Sequence, residues 1–155
     1  MKKRLFLLVL MSLALVFSFG CNSKEKTTEI TIGDYITMEV PGEWHIDAEK
    51  SNLGAHEVYR TESGFLEVYI TLPEQSGINE AKRRAEDWSD SNRLREYKDV
   101  KDYAYTYYSY VNDGKYNVFI GVAEGEYFYS IAGTINAETD TEVVDFLTET
   151  VKSIK

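Results

Sequence analysis

Cys21 is the residue whose position says most about chemistry, because it is the only cysteine among 155 residues. Basic residues 2–4 open the chain, and a nearly continuous apolar run at residues 5–19 precedes Cys21. This run is shorter than the ~20 residues of a membrane-spanning helix, so the pattern predicts a signal peptide at residues 1–20. A lone thiol cannot form an internal disulfide. The alternatives are a free thiol and a lipid acceptor, and the position of Cys21 favours lipidation.

The junction between Gly20 and Cys21 resembles the lipobox of bacterial lipoproteins, in which a peptidase cuts before a cysteine that carries diacylglycerol. Gly20 matches that pattern, whereas Ser18 and Phe19 stand where an aliphatic and a small residue are usual, so ordinary secretion is the alternative. The resemblance implies fatty acyl chains such as palmitate on Cys21. It also implies an anchor on the extracytoplasmic face of the cell membrane, held firmly because several acyl chains are carried.

The charge of the chain argues against one class of partner. The formal net charge is −9, and cleavage after Gly20 would remove three cations and no carboxylates, which leaves −12. So acidic a protein is not suited to nucleic acid, or to electrostatic adsorption on anionic lipid. We predict a lipidated polar tether at residues 21–28 and a single folded domain at residues 29–155, long enough to bury its own core.

Two histidines are the obvious metal-ligand candidates. His45 and His56 have the carboxylates Asp47 and Glu57 nearby in sequence, but a loop separates the two pairs and neither forms a helical ligand motif. We therefore interpret both histidines as surface residues and predict no metal site.

The sequence also lacks a clear catalytic motif. The chain has no Gly-x-Ser-x-Gly sequence, Cys21 is assigned to the lipid, and no pair of carboxylates stands out for sugar hydrolysis. The acidic run Glu138, Asp140 and Glu142 lacks the glycine of a calcium loop and suits the start of a helix. We expect no catalytic residues, no cofactor and no enzymatic activity.

Four aromatic residues are the candidates for binding a ligand or partner. Under the register predicted below, Tyr108, Tyr110, Phe119 and Phe128 share one sheet face with small and polar residues, where rings can stack on sugars or anchor peptides. The alternative is that a helix carrying Trp88 covers these rings.

The elements that position these residues follow from periodicity. Alternating apolar residues on either side of Gly33-Asp34 predict a first hairpin, and Pro41-Gly42 ends it before Trp44, which we expect to be buried. Strands are predicted at residues 56–60 and 65–71. A one-sided apolar stripe predicts a helix; its members are Ile78, Ala81, Ala85 and Trp88.

Two hairpins dominate the second half of the sequence. Asp113-Gly114 and Glu124-Gly125 predict two-residue turns. The first turn pairs Tyr107 with Ile120, which would place Tyr103, Tyr105 and Tyr107 on the main core face with Val118 and Ile120. Thr139 and Glu142 then form a capping box before a closing helix, whose apolar stripe is Val143, Val144, Leu147, Val151 and Ile154.

This order of elements predicts the α+β class, with helices packed on a mostly antiparallel meander sheet. The strand at residues 36–40 followed by Pro41-Gly42-Glu43-Trp44, with the late hairpins and the terminal helix, resembles the PsbP-like α/β/α sandwich over residues 30–154. The resemblance implies that fold and a non-enzymatic, partner-binding role. It transfers no catalytic residue.

Three classes of function remain distinguishable. The first is an envelope-anchored lipoprotein that binds an unknown envelope component or acts as an assembly accessory. The second is a small-ligand or glycan-binding module that uses the aromatic sheet face, and the third is a hydrolase. A partner-binding protein would show an exposed apolar patch, a ligand binder a concave aromatic pocket, and an enzyme a pocket of convergent titratable groups.

Overall fold

The described part of the chain contains a large sheet, a small sheet and two helices. The computed structural model describes residues 26–32, 36–51, 56–62, 64–71, 77–88 and 94–155, without the side chains of residues 32, 66–71 and 88. The predicted signal peptide, Cys21 and the Gly33-Asp34 turn lie outside these ranges, so those predictions remain predictions. Strand β1 begins at Thr27, inside the segment predicted as a tether.

The strands form two antiparallel sheets. A hairpin of β1 (Thr27–Ile32) and β2 (Ile36–Pro41) is the small sheet. The large sheet has seven strands in the order β3-β4-β5-β9-β8-β7-β6. Its members are β3 (His45–Ile46), β4 (His56–Arg60), β5 (Phe65–Thr71), β6 (Arg95–Tyr97), β7 (Tyr103–Asn112), β8 (Lys115–Glu124) and β9 (Tyr127–Asn136). The predicted first hairpin and the strands at 56–60 and 65–71 are confirmed.

Two layers cover the large sheet. Helix α1 (Gly77–Trp88) packs on one face, called here the α1 face, and helix α2 (Asp140–Lys152) packs with the small sheet on the other, the α2 face. The α1 face buries Tyr103, Tyr105, Phe119, Ala123 and Phe128 under Ala81 and Ala85. The α2 face buries a larger set that includes Tyr108, Tyr116, Val118, Ile120, Val122, Tyr129, Ile131 and Ile135. The predicted α+β sandwich is confirmed.

The predicted face of strand β7 is wrong, and a β-bulge is the reason. Asn112 pairs with Lys115 as expected, but the register shifts between Tyr110 and Asn112, so that Tyr107 pairs with Phe119 instead of Ile120. Because side chains alternate with a period of two, a shift of one residue moves every preceding side chain to the opposite face. The odd-numbered tyrosines of β7 therefore lie on the α1 face, away from Val118 and Ile120.

The second hairpin differs from its prediction without this consequence. Glu124 pairs with Tyr127, so the turn is formed by Gly125 and Glu126, where Gly125 has a φ of 58°. A turn at Glu124-Gly125, as predicted, would have paired Val122 with Tyr127, whereas Val122 pairs with Tyr129. The register thus moves by two residues, which leaves every side chain on its predicted face. The faces of β8 and β9 are confirmed.

Both predicted helices are present, and the capping of α2 is confirmed. The Thr139 hydroxyl accepts a hydrogen bond from the Glu142 backbone N–H at 3.3 Å, and the Glu142 carboxylate accepts one from the Glu138 N–H at 2.9 Å. No helix in the described ranges is long and apolar enough to cross a membrane.

Candidate binding groove

The four aromatic candidates do not form one cluster. Phe119 and Phe128 lie on the α1 face and are 6% and 0% exposed, whereas Tyr108 and Tyr110 lie on the α2 side of the sheet, where both rings contact Tyr116. Among the four, only Tyr110 is substantially exposed, at 53%. The bulge in β7 separates them, so the prediction of a shared aromatic face is wrong.

Helix α1 closes the space above the buried rings. Glu80 accepts hydrogen bonds from Arg83 and Arg84, which lowers the pKa of its carboxyl, and the Arg84 guanidinium lies 5.0 Å from the centre of the Phe128 ring. Helix α1 therefore covers Phe119 and Phe128, which was the alternative to an exposed aromatic face.

Instead, the structure contains an open groove of about 700 Å³ at the end of the sheet where β9 stops. One wall is helix α2, and the other is formed by the turns after β2 and β4. We call it the acidic groove, because five of its fourteen lining residues are acidic. Its lining residues are Pro41, Gly42, Glu43, Trp44, His45, Thr61, Glu62, Ile135, Asn136, Ala137, Glu142, Asp145, Phe146 and Glu149.

Trp44 forms part of the apolar floor of the acidic groove, and its predicted burial is confirmed at 7% exposed. Its indole Nε1 donates to the Pro41 carbonyl at 2.9 Å, and its ring centre lies 6.4 Å from that of Phe146 on α2. Gly42 allows this turn, because its φ of 101° is in a region that side chains disfavour. The Pro-Gly-x-Trp sequence thus positions the ring.

Hydrogen bonds fix the Trp44 turn to the start of β1. The Gly42 N–H donates to the Lys26 carbonyl at 2.8 Å, and the Thr28 hydroxyl donates to the Gly42 carbonyl at 2.9 Å. The same hydroxyl accepts from the Trp44 N–H at 2.8 Å. The groove therefore lies where the predicted tether enters the domain.

The rim of the acidic groove is negatively charged and partly unpaired. Lys26 donates to Glu43 at 2.8 Å and thereby lowers the pKa of that carboxyl. By contrast, Glu62, Asp145 and Glu149 have no cationic partner among the residues that the structure describes. The groove is thus a concave surface with an aromatic floor and three carboxylates available to a cation.

The histidines and their neighbouring carboxylates are arranged differently from a metal site. Asp47 accepts a 2.5 Å hydrogen bond from Arg60, which lowers its pKa, and Glu57 accepts one of 2.7 Å from Tyr59. In the described residues, no group of three or more His, Cys, Asp or Glu could hold a metal ion. His45 instead lines the acidic groove, as an exposed residue of the edge strand β3.

Sequence reasoning missed the groove because its residues come from four separate segments. One signal was available: Asp145 and Glu149 lie four residues apart on the predicted closing helix, where two like charges destabilise a helix. Residues that oppose the stability of their own element are candidates for binding.

Comparisons with known proteins support the fold alone. No family model matches the chain, and neither does any curated protein sequence. Among solved structures, the solution structure of the cyanobacterial PsbP protein CyanoP from Synechocystis sp. PCC 6803 is similar, with a TM-score of 0.53 and 12% identity over 88% of this chain and 95% of that chain. A Bacteroides thetaiotaomicron protein has a TM-score of 0.49 and 13% identity over 84% of this chain and 47% of that chain.

The fold is therefore PsbP-like, as the strand-Pro-Gly-x-Trp pattern predicted. At 12% identity the similarity establishes architecture and carries no residue role to this chain.

Proposed function

We propose that the protein is a non-enzymatic lipoprotein, anchored through Cys21 on the extracytoplasmic face of the cell membrane, that binds another envelope component through the acidic groove. The observation that carries the proposal is the groove itself. Its volume of about 700 Å³ lies within the range of ~300–1,000 Å³ that is typical of ligand sites, and it combines an apolar floor with a few polar groups at the rim.

The position of the groove supports the link between anchor and binding. Lys26 follows Cys21 by five residue steps, and its side chain pairs with Glu43 at the groove rim. Even fully extended, this segment spans at most ~18 Å. A protein held at Cys21 would therefore keep the groove close to the bilayer surface and to other membrane components.

The structure does not favour a glycan-binding sheet face. Phe119 and Phe128 are buried beneath α1, so neither ring has a free surface on which a sugar could stack. In the acidic groove, by contrast, the Phe146 ring is half-buried and lies beside the buried Trp44, so part of an aromatic surface faces the groove.

Site-specific photo-crosslinking in intact cells tests the proposal. A benzophenone amino acid at position 62, in the groove, should yield one discrete adduct, and this adduct should weaken when Asp145→Lys is added. The same probe at position 126, at the opposite end of β9, is the control and should not yield it. Identical adducts from both positions, or none from position 62, would contradict a binding groove.

The anchor has a separate test. Mass spectrometry of the wild-type protein should show an N-terminal, acylated Cys21, and Cys21→Ser should leave the precursor unprocessed and unlipidated. An unmodified wild-type Cys21 would contradict the anchor while leaving the groove untouched.

A further inference from the structure

We infer that the acidic groove binds an extended peptide segment of its partner that carries lysine or arginine at alternate positions. The inference rests on the proposed function, because it names the chemistry of the component that the groove would bind. It is carried by three features of the groove: the unpaired carboxylates, their spacing along α2 and the apolar floor between its walls.

The unpaired carboxylates are costly to the protein alone. Asp145 and Glu149 form a like-charge pair one turn apart on α2, and Glu149 opens the last helical turn, where the helix dipole disfavours an anion. Glu62 adds a third carboxylate from the opposite wall. Neither capping nor an ion pair within the described residues offsets these three charges, whereas cations from a partner would do so.

The spacing of the carboxylates fits an extended chain better than a single ion. Four residues of α-helix rise ~6 Å, which is the axial separation of Asp145 and Glu149. In an extended segment, alternate side chains point the same way and lie ~6.6–6.8 Å apart. With Glu142, the acidic row spans seven residue steps of α2, or ~10 Å, and within the described residues no three of the carboxylates and histidines are grouped so that they could hold one metal ion.

The floor of the groove fits lysine and arginine in particular. These side chains place their methylene stems on apolar surface while the charged ends stay in water. Phe146, which is half-buried, supplies that surface together with the small exposed parts of Trp44 and Ile135, and the rim carboxylates are exposed. Because the groove is open to solvent, a peptide backbone can lie across it, which a closed small-molecule cavity would prevent.

Fluorescence anisotropy with defined peptides tests the inference. The probe is a fluorescein-labelled octapeptide in which lysine and threonine alternate. The controls replace its lysines with glutamine or place the four lysines in one block. We expect the alternating peptide to bind most tightly and the glutamine peptide not to bind. The affinity of the alternating peptide should fall as the salt concentration rises from about 50 to about 300 mM, because salt screens the attraction between exposed charges.

Two double variants of equal net charge distinguish the effect of the groove carboxylates on affinity from the effect of the overall charge of the protein. Asp145→Asn with Glu149→Gln should weaken binding by about fivefold to tenfold, as expected for the loss of two exposed ion pairs. Asp99→Asn with Glu126→Gln removes two carboxylates at the other end of the sheet and should change affinity by less than twofold. Both variants should fold, because all four side chains are exposed.

The outcomes distinguish this inference from the proposed function. Equal weakening by both double variants, or equal binding of the glutamine peptide, would overturn a lysine-specific groove. If no peptide binds but position 62 still crosslinks in cells, the groove binds a partner of different chemistry. If neither occurs, the proposed function fails as well.

Discussion

At the scale of single residues, Trp44 connects the fold to the groove. Its indole is buried, packs against Phe146 and donates to the carbonyl that precedes Gly42. Trp44→Ala should therefore lower the free energy of unfolding by about 3–5 kcal/mol, the usual cost of deleting a large buried aromatic side chain. Urea denaturation followed by circular dichroism measures this change. Ile46→Ala, at a residue that is 46% exposed, is the control and should cost far less. A negligible effect of Trp44→Ala would contradict its role in the floor.

Removing the Tyr105 hydroxyl should not destabilise the protein, in contrast to the loss of the Trp44 side chain. Its hydroxyl is buried with no hydrogen-bond partner among the described residues, and its ring lies over Gly121, where an added Cβ would meet it at 2.4 Å. Tyr105→Phe removes an unsatisfied polar group and should be neutral or should stabilise the protein by up to about 1 kcal/mol. Chemical denaturation measures both this variant and its match, Tyr103→Phe. The Tyr103 hydroxyl donates to Glu96 at 2.6 Å, so its loss should destabilise. Marked destabilisation by Tyr105→Phe would reveal a partner for the hydroxyl.

At the scale of elements, the bulge in β7 predicts that strand β7 tolerates the deletion of one particular residue. Val111 is the residue that the ladder skips, since Tyr110 pairs with Tyr116 and Asn112 with Lys115. Deleting Val111 should join these pairs into a regular ladder and change stability by less than about 1 kcal/mol, because the faces of β7 are kept. Deleting the buried Thr106 instead should unfold the protein, since part of β7 must then change faces. Thermal denaturation compares the two, and equal damage would argue against the bulge.

Glu149 on helix α2 gives a prediction about the stability of the free protein. Glu149→Lys converts a like-charge pair with Asp145 into an attractive one and places a cation in the last turn, so the free protein should be stabilised by about 0.5–1 kcal/mol. Thermal unfolding at low and high salt measures this gain, which should shrink as salt rises. Asp99→Lys is the matched charge change outside the helix. A loss of stability in Glu149→Lys would mean that Glu149 has a structural partner.

The elements also show how far sequence reasoning reaches. Period-two alternation and turn residues were sufficient for β1, β2, β4 and β5, and the capping box was sufficient for the start of α2. The two-residue and three-residue strands β3 and β6 are too short to show a period. The bulge could not be predicted, because Val111 continues the alternation in sequence, and its lost pairing is visible only in the register of β7 with β8. One skipped residue was enough to disperse the predicted aromatic site.

At the scale of the whole molecule, buried tyrosines predict instability in alkali. Burial is the main cause that raises the pKa of Tyr59, Tyr103 and Tyr105, and the Glu57 and Glu96 carboxylates add to it at the first two. In the unfolded chain these hydroxyls would ionise near pH ~10 while the folded protein keeps its protons. The contribution of these three tyrosines to the free energy of unfolding should be constant below pH ~10 and should fall as the pH rises beyond it. Denaturation midpoints from pH 8 to 12 measure the loss, which should be smaller in Tyr105→Phe; an identical pH dependence would contradict this cause.

The hydrogen bonds that join Gly42, Thr28 and Trp44 have a mechanical consequence. They connect the first residues of β1 directly to the groove, so if the chain is held at Cys21 and pulled by a ligand in the groove, tension runs through this short clamp. Helix α1, which packs on the other face of the large sheet, lies outside that path. The same three hydrogen bonds therefore hold the anchored end of the chain and one wall of the groove together.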